Sequence, residues 1–187
     1  MNRAALARWV SIALHPFAVL GLLTWVALRR TDPAAATAVI PAFVLVVAIV
    51  LGLAVHRARS GAWNSVDASD RGNRPLLFAV VIALLCAYAA WVWHAAPALL
   101  PGVLALVALC VVAAIANRWI KLSLHMACLA YAAIVAWRLS PPLGSALTAA
   151  LPLLAWSRLA MARHTLAEVV AGLMLGAGAG LCALAWA

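Results

Sequence analysis

Apolar residues run along this chain in long, nearly continuous blocks, and the polar residues collect in the gaps between them. Seven blocks stand out, at approximately 9–28, 36–56, 76–96, 98–116, 120–138, 143–160 and 165–186. Each approaches the ~20 residues an α-helix needs to cross the hydrocarbon core. Outer-membrane strands would instead show ~10-residue stretches of alternating hydrophobicity, and no such alternation is present. The expected fold class is therefore all-α: a polytopic transmembrane helical bundle of six to seven spans, forming one integral-membrane domain over residues 1–187. The two blocks around 120–160 are short, and one of them is expected to be tilted or only partly spanning.

Turn chemistry marks the same divisions. Thr31-Asp32-Pro33, Pro97 with Pro101-Gly102, and Ser140-Pro141-Pro142 each interrupt a block. The longest polar stretch runs from Arg57 to Arg74, and Pro75 opens the next span where a helix tolerates proline. The first block, ending in Arg29-Arg30, is too long for a usual signal-peptide core and is read as a retained span. His15-Pro16 lies inside it, where the proline is expected to kink the helix and the histidine to bond a neighbouring one.

Composition narrows the class further. The chain is 69% hydrophobic with a mean hydropathy of +1.13, whereas a soluble domain is roughly half apolar. Its 13 Lys+Arg against 4 Asp+Glu would suggest nucleic acid in a soluble protein. Here the basic residues sit at span ends, where they set topology and meet anionic head groups. No basic stripe carries interleaved aromatics, so nucleic acid is excluded as a partner and membrane lipids are expected instead. Cys86, Cys110, Cys128 and Cys182 all fall in apolar blocks without a C-x-x-C pair and read as small packed hydrophobes. Trp63, Trp119, Trp137 and Trp156 read as interfacial belt anchors, and His56 and His94 as residues near span ends.

Parity then sorts the polar residues. With seven spans, one face carries the N-terminus, the 57–75 loop, the 117–121 junction and the 157–165 junction. Three clusters meet on that face. The first contains Asp67, Asp70, Arg71 and Arg74-Pro75, and its arginines can offer guanidinium forks to one anion. The second contains Lys121, Ser123 and His125, with the chain's single lysine four residues before a histidine. The third is Ser157-Arg158 followed by Arg163-His164 and Glu168, the chain's single glutamate. Residues four apart share a helix face, so Glu168 can orient the His164 ring. An oriented imidazole beside fixed cations suits covalent attack on phosphorus. Each cluster also has a structural reading: a topology-setting loop, a snorkelling lysine beside a packed histidine, and a histidine–glutamate pair at a helix end.

Together these residues resemble the type-2 phosphatidic acid phosphatase (lipid phosphate phosphatase) superfamily. Its third motif, Ser-Arg-x5-His-x3-Asp, is matched by Ser157-Arg158-x5-His164-x3-Glu168, with Glu for Asp. The second, Pro-Ser-Gly-His, corresponds to Leu122-Ser123-Leu124-His125. The first, Lys-x6-Arg-Pro, retains Arg74-Pro75 but has Asp67 in place of the lysine. The resemblance covers roughly residues 67–175. It implies that His164 is the nucleophile forming a phosphohistidine and that Glu168 holds its tautomer. His125 would be the general acid and then the base for water, and Arg74, Ser123 and Arg158 would bind the phosphoryl oxygens. The family uses neither metal nor other cofactor. Lys121 or Arg71 could replace the charge of the missing lysine. The departures imply either a divergent subgroup with a rewired pocket or a member of weak or altered activity.

The leading expectation is a metal-independent lipid phosphatase of a bacterial-type inner membrane. Its substrate would be a lipid phosphate or diphosphate of the phosphatidate, phosphatidylglycerophosphate or polyprenyl diphosphate class. Rival readings are a catalytically weak lipid-phosphate binding or carrier protein on the same scaffold, and a haem-binding electron carrier with paired histidines. Arg3, Arg8, Arg57 and Arg59 on the cluster face outweigh Arg29, Arg30 and Arg138 less Asp32 on the other, which favours a cytoplasmic site.

Overall fold

The computed structural model describes residues 2–63 and 71–186. These form eight α-helices: α1 (Arg3–Ala13), α2 (Pro16–Thr31), α3 (Ala36–Arg59), α4 (Arg74–Ala95), α5 (Leu100–Ala116), α6 (Leu124–Leu139), α7 (Pro141–Ala160) and α8 (Leu166–Trp186). No strand occurs among the described residues. Short 3-10 turns at Pro33–Ala35, Arg71–Asn73 and Pro97–Leu99 lead into α3, α4 and α5.

Prolines set many of the starts. Pro16, Pro75, Pro101 and Pro141 each stand in the first turn of a helix, where no N–H is lost and φ is already helical. The first expected span is consequently two helices rather than one kinked helix: α1 stops at Ala13, and His15 caps α2 through an Nδ1 that accepts the Phe17 N–H at 3.3 Å.

Among the described residues, six stretches are long and apolar enough to cross a membrane: Arg3–Thr31, Pro33–Arg59, Arg71–Ala95, Pro97–Ala116, Pro141–Ala160 and Leu166–Trp186. The chain is thus an all-α polytopic helical bundle. Of the two blocks expected to be short, only α6 is. Its 16 residues reach ~24 Å at 1.5 Å per residue, less than the ~30 Å core. A short helix suffices there because α6 lies in the middle of the bundle, packed on α2, α7 and α8, with Met126 through Ala133 buried without interruption.

Helices α6 and α8 run parallel and very close. Gly172, Gly176 and Gly180 meet Ser123, Ala127 and the Tyr131–Ile134 turn in that order. A Cβ on Gly176 would lie 2.0 Å from the Ala127 carbonyl oxygen, and one on Gly172 would lie 2.5 Å from that of Ser123. A glycine every fourth residue is the small-residue stripe that lets helix backbones approach in a membrane. The backbone bond from Ser123 N–H to the Glu168 carbonyl, at 3.1 Å, locks the two helix starts together. Helix α7 returns antiparallel, its Gly144 packed under Trp137, and so delivers Ser157 and Arg158 to the same end.

Two surface expectations divide. Trp119 and Trp137 are exposed as belt residues should be, whereas Trp63 is buried against Ala54 and Leu77 and serves as a packing residue. The polar stretch before α4 tucks its one tryptophan under the end of α3, a tertiary contact that an interfacial preference does not anticipate. Cys110 and Cys128 are buried, while Cys86 and Cys182 are exposed on α4 and α8.

Candidate active site

The spacing from Arg158 to His164 has a backbone cause. Helix α7 ends in a Schellman turn: the Arg163 N–H reaches the Arg158 carbonyl at 3.1 Å and the Ala162 N–H reaches that of Leu159 at 3.0 Å. Ala162 takes the left-handed position at φ 52°, where a side chain costs about 1–2 kcal/mol. The turn reverses the chain and brings His164 back over the last turn of α7.

Helix α8 then opens with a capping box. Thr165 Oγ1 accepts the Glu168 N–H at 3.3 Å, and Glu168 Oε2 accepts the Thr165 N–H at 3.1 Å. The same Oε2 accepts the Nδ1–H of His164 at 3.0 Å. The box folds the Glu168 side chain back onto its own helix start, where it also reaches the His164 ring. With Nδ1 committed, Nε2 is the ring nitrogen left for chemistry.

His164 is almost wholly buried, and burial together with Arg158 and Arg74 pushes its pKa down from 6.5 to about 4. The Glu168 bond opposes that shift, and Lys121 adds to it. The imidazole is neutral at pH 7, the form a nucleophile requires. An unfolded histidine takes up its proton near 6.5, so the unfolded chain binds more protons between about 6.5 and about 4. The neutral ring's contribution to stability is present above that window and is lost as pH falls through it. In nitrogen-15 histidine spectra, one ring that vanishes in His164→Ala should hold its proton on Nδ1 and stay neutral at pH 5.5. A midpoint near 6.5 for that ring would contradict this electrostatic account.

Arg158 and Ser157 face α1. Arg158 is buried and donates to Ser11 Oγ at 2.8 Å, and Ser157 donates to the Ala7 carbonyl at 2.6 Å. Ser157 thus staples α7 to α1. From α4, buried Arg74 donates to the Leu122 carbonyl at 2.8 Å, next to Ser123.

Ser123 is the N-cap of α6, fully buried, and among the described residues its hydroxyl makes neither a capping bond nor any other. A buried orphan hydroxyl is costly and suits a group that meets an anion at a helix start. Its amide is engaged by the Glu168 carbonyl. His125 follows on the first turn, and its electrostatic neighbours are Arg158, His15, His164 and Arg74. The His15 ring stands edge-on to it, with centroids 5.1 Å apart and planes at 87°.

Lys121 and Arg71 sit further out. Lys121 Nζ donates to the Arg163 carbonyl at 2.9 Å, Arg71 Nε bonds the Asn117 carbonyl, and Asn117 Nδ2 returns a bond to the Arg71 carbonyl at 3.2 Å. Both cations line a recess of about 440 Å³ with Trp119, Thr165 and Glu168. A second cavity of about 450 Å³ is mainly apolar and lies at the opposite end of the bundle, around Tyr88, Pro97, Tyr131 and Trp186. It is remote from every group named above. Asp67 and Asp70 lie outside the described residues.

Arg74, Ser123, His125, Arg158, His164 and Glu168 therefore gather at one end of the bundle, with Lys121 and Arg71 at its mouth. Sequence reasoning missed Ser11 and Thr165, and expected His15 to bond a neighbouring helix, which its contact with the His125 ring of α6 matches. The Thr165-x-x-Glu168 capping pattern was visible, and so was the four-residue spacing of Ala7, Ser11 and His15. No protein-family model, curated protein or solved structure matches this chain.

Proposed function

We propose that this chain is a lipid phosphatase that works through a phosphohistidine on His164. The observation that carries the reading is the His164 ring, bonded to Glu168 through Nδ1 and surrounded by Arg74, Arg158 and Lys121.

In this scheme a phosphoryl group sits among Arg74, Arg158 and the Ser123 hydroxyl. Nε2 of His164 attacks phosphorus while the bond to the lipid oxygen breaks, and His125 donates a proton to that oxygen. Glu168 stabilises the positive charge that grows on the His164 ring, and the guanidinium groups stabilise the pentavalent transition state. Water then attacks the phosphorus, His125 takes its proton, and the P–N bond returns its electrons to Nε2. Phosphate leaves and the enzyme is restored, with water the sole co-reactant. The substrate enters laterally and keeps its tail in the bilayer.

A panel of lipid phosphates and diphosphates offered in EDTA tests the reading and separates it from the rival of a carrier. Phosphate release from at least one member is expected. Tight lipid-phosphate binding without release from any member would favour the carrier. A haem between paired histidines is disfavoured by His15 and His125, whose rings are already in contact.

The proposed location is a bacterial-type inner membrane, with the site facing the cytoplasm. Ser60 is exposed at the end of α3, on the face expected to be cytoplasmic. In a background lacking the native cysteines, Ser60→Cys should resist an impermeant maleimide in intact cells and react after lysis. Labelling of intact cells would reverse the orientation.

A further inference from the structure

The break in the first span puts a third histidine into the site, and no reading of the three clusters assigns it a role. Helix α1 lays one stripe against the site. Ala7 holds Ser157, Ser11 holds Arg158, and four residues further on His15 meets His125. The break between Leu14 and Pro16 is what allows the last contact. A continuous helix would consume the local backbone groups in its own ladder. Here His15 becomes the N-cap of α2, and its Nδ1 accepts the Phe17 N–H at 3.3 Å. That bond anchors the ring and, in the neutral form, places its proton on Nε2. A ring fixed to the backbone in this way presents a rigid surface to its neighbour. Its neighbour is His125, met edge-to-face at 5.1 Å and 87°, a favoured geometry for ring pairs.

We infer that His15 is a positioning residue for His125, holding the plane of that imidazole for proton transfer to the leaving oxygen and from water. The inference rests on the phosphohistidine reading. The charged and titratable groups around His125 are Arg158, His15, His164 and Arg74. Three of these belong to the proposed reaction centre, and His15 is the one contributed from outside it. General acid catalysis depends on the angle at which the proton is offered. A ring free to rotate loses rate in the steps that use it, while substrate binding by Arg74, Arg158 and Ser123 is untouched. Losing the partner that orients a metal-bound histidine costs about 10–100-fold in activity, and a loss of that order is expected when the plane of His125 is no longer held.

The cap and the ring can be separated. Asparagine is among the best N-cap residues, so His15→Asn keeps the start of α2 while removing the imidazole. In purified full-length protein with the best lipid of the panel, His15→Asn should lower kcat about 10–100-fold. KM should change less than about threefold, and the limb of the kcat–pH profile carried by His125 should move. His15→Ala should show the same kcat loss with an added loss of thermal stability from the missing cap. If His15→Asn does not fold, the kcat of His15→Ala decides. Wild-type kcat and pH profile in a folded His15 variant, beside an inactive His164→Ala, would overturn the role of His15 and leave the phosphohistidine reading standing. Undiminished release by His164→Ala would overturn that reading instead.

Discussion

His164→Ala is expected to lower phosphate release by about four orders of magnitude, and Glu168→Gln by about two to four. The first removes the atom that bonds to phosphorus. The second keeps size and shape but can turn an N–H toward His164 Nδ1, and the ring then loses both its tautomer and the charge that stabilises it. The two losses should not add, since both variants disable one unit. Glu168 also closes the capping box with Thr165, so part of its effect will appear as stability. The loss on the cap side should be about 1 kcal/mol, measurable by thermal unfolding in detergent. His164→Ala should leave the box intact. If Glu168→Gln keeps wild-type kcat, the pair serves structure alone.

The second large effect lies away from the chemistry. Gly176→Ala sets a Cβ 2.0 Å from the Ala127 carbonyl oxygen, which is backbone on both sides and has no flexible end to yield. Overpacking of this kind costs typically 1–3 kcal/mol, and α6 must move off α8 to accept it. That motion separates Ser123 and His125 from His164 and Glu168, groups borne by the two different helix starts. A displacement of ~1 Å can cost ~100-fold in rate, so the variant should be both less stable and less active even where it folds. Gly178, two residues on, has nothing within 4 Å of its would-be Cβ. Gly178→Ala should therefore match the parent within about 0.5 kcal/mol and keep its activity. Equal behaviour of the two variants would show that the close contact of α6 and α8 does not set the site.

Much of the bundle was legible because its causes are local. Continuous apolar blocks and the prolines at 33, 75, 97 and 141 mark helices and breaks without tertiary information. Parity put the polar clusters on one face, and the structure gathers their key members there. Legibility ended where a contact joined residues far apart in the chain. Ser11 looks like any small residue in an apolar run, and its partner Arg158 is 147 positions away. The same holds for Trp63, whose burial depends on Ala54 and Leu77. The kink expected at Pro16 was wrong for a different reason. A proline inside a span suggests a kink, whereas here it begins a new helix and leaves the preceding histidine to cap it. The glycines at 172, 176 and 180 are evenly spaced in the sequence, but which helix approaches them is a property of the fold alone.

Lys121 and Arg71 bring positive charge to the recess beside Glu168. Ser123 keeps a buried hydroxyl with no hydrogen-bond partner among the described residues.

The most direct measurement is rapid-quench trapping with a phosphorus-32-labelled lipid phosphate, followed by mapping of the labelled peptide. An acid-labile, alkali-stable label on His164, formed at least as fast as turnover and absent from His164→Ala, is the expected result. Steady phosphate release with no label on His164, or the same label in His164→Ala, would contradict a phosphohistidine at this position.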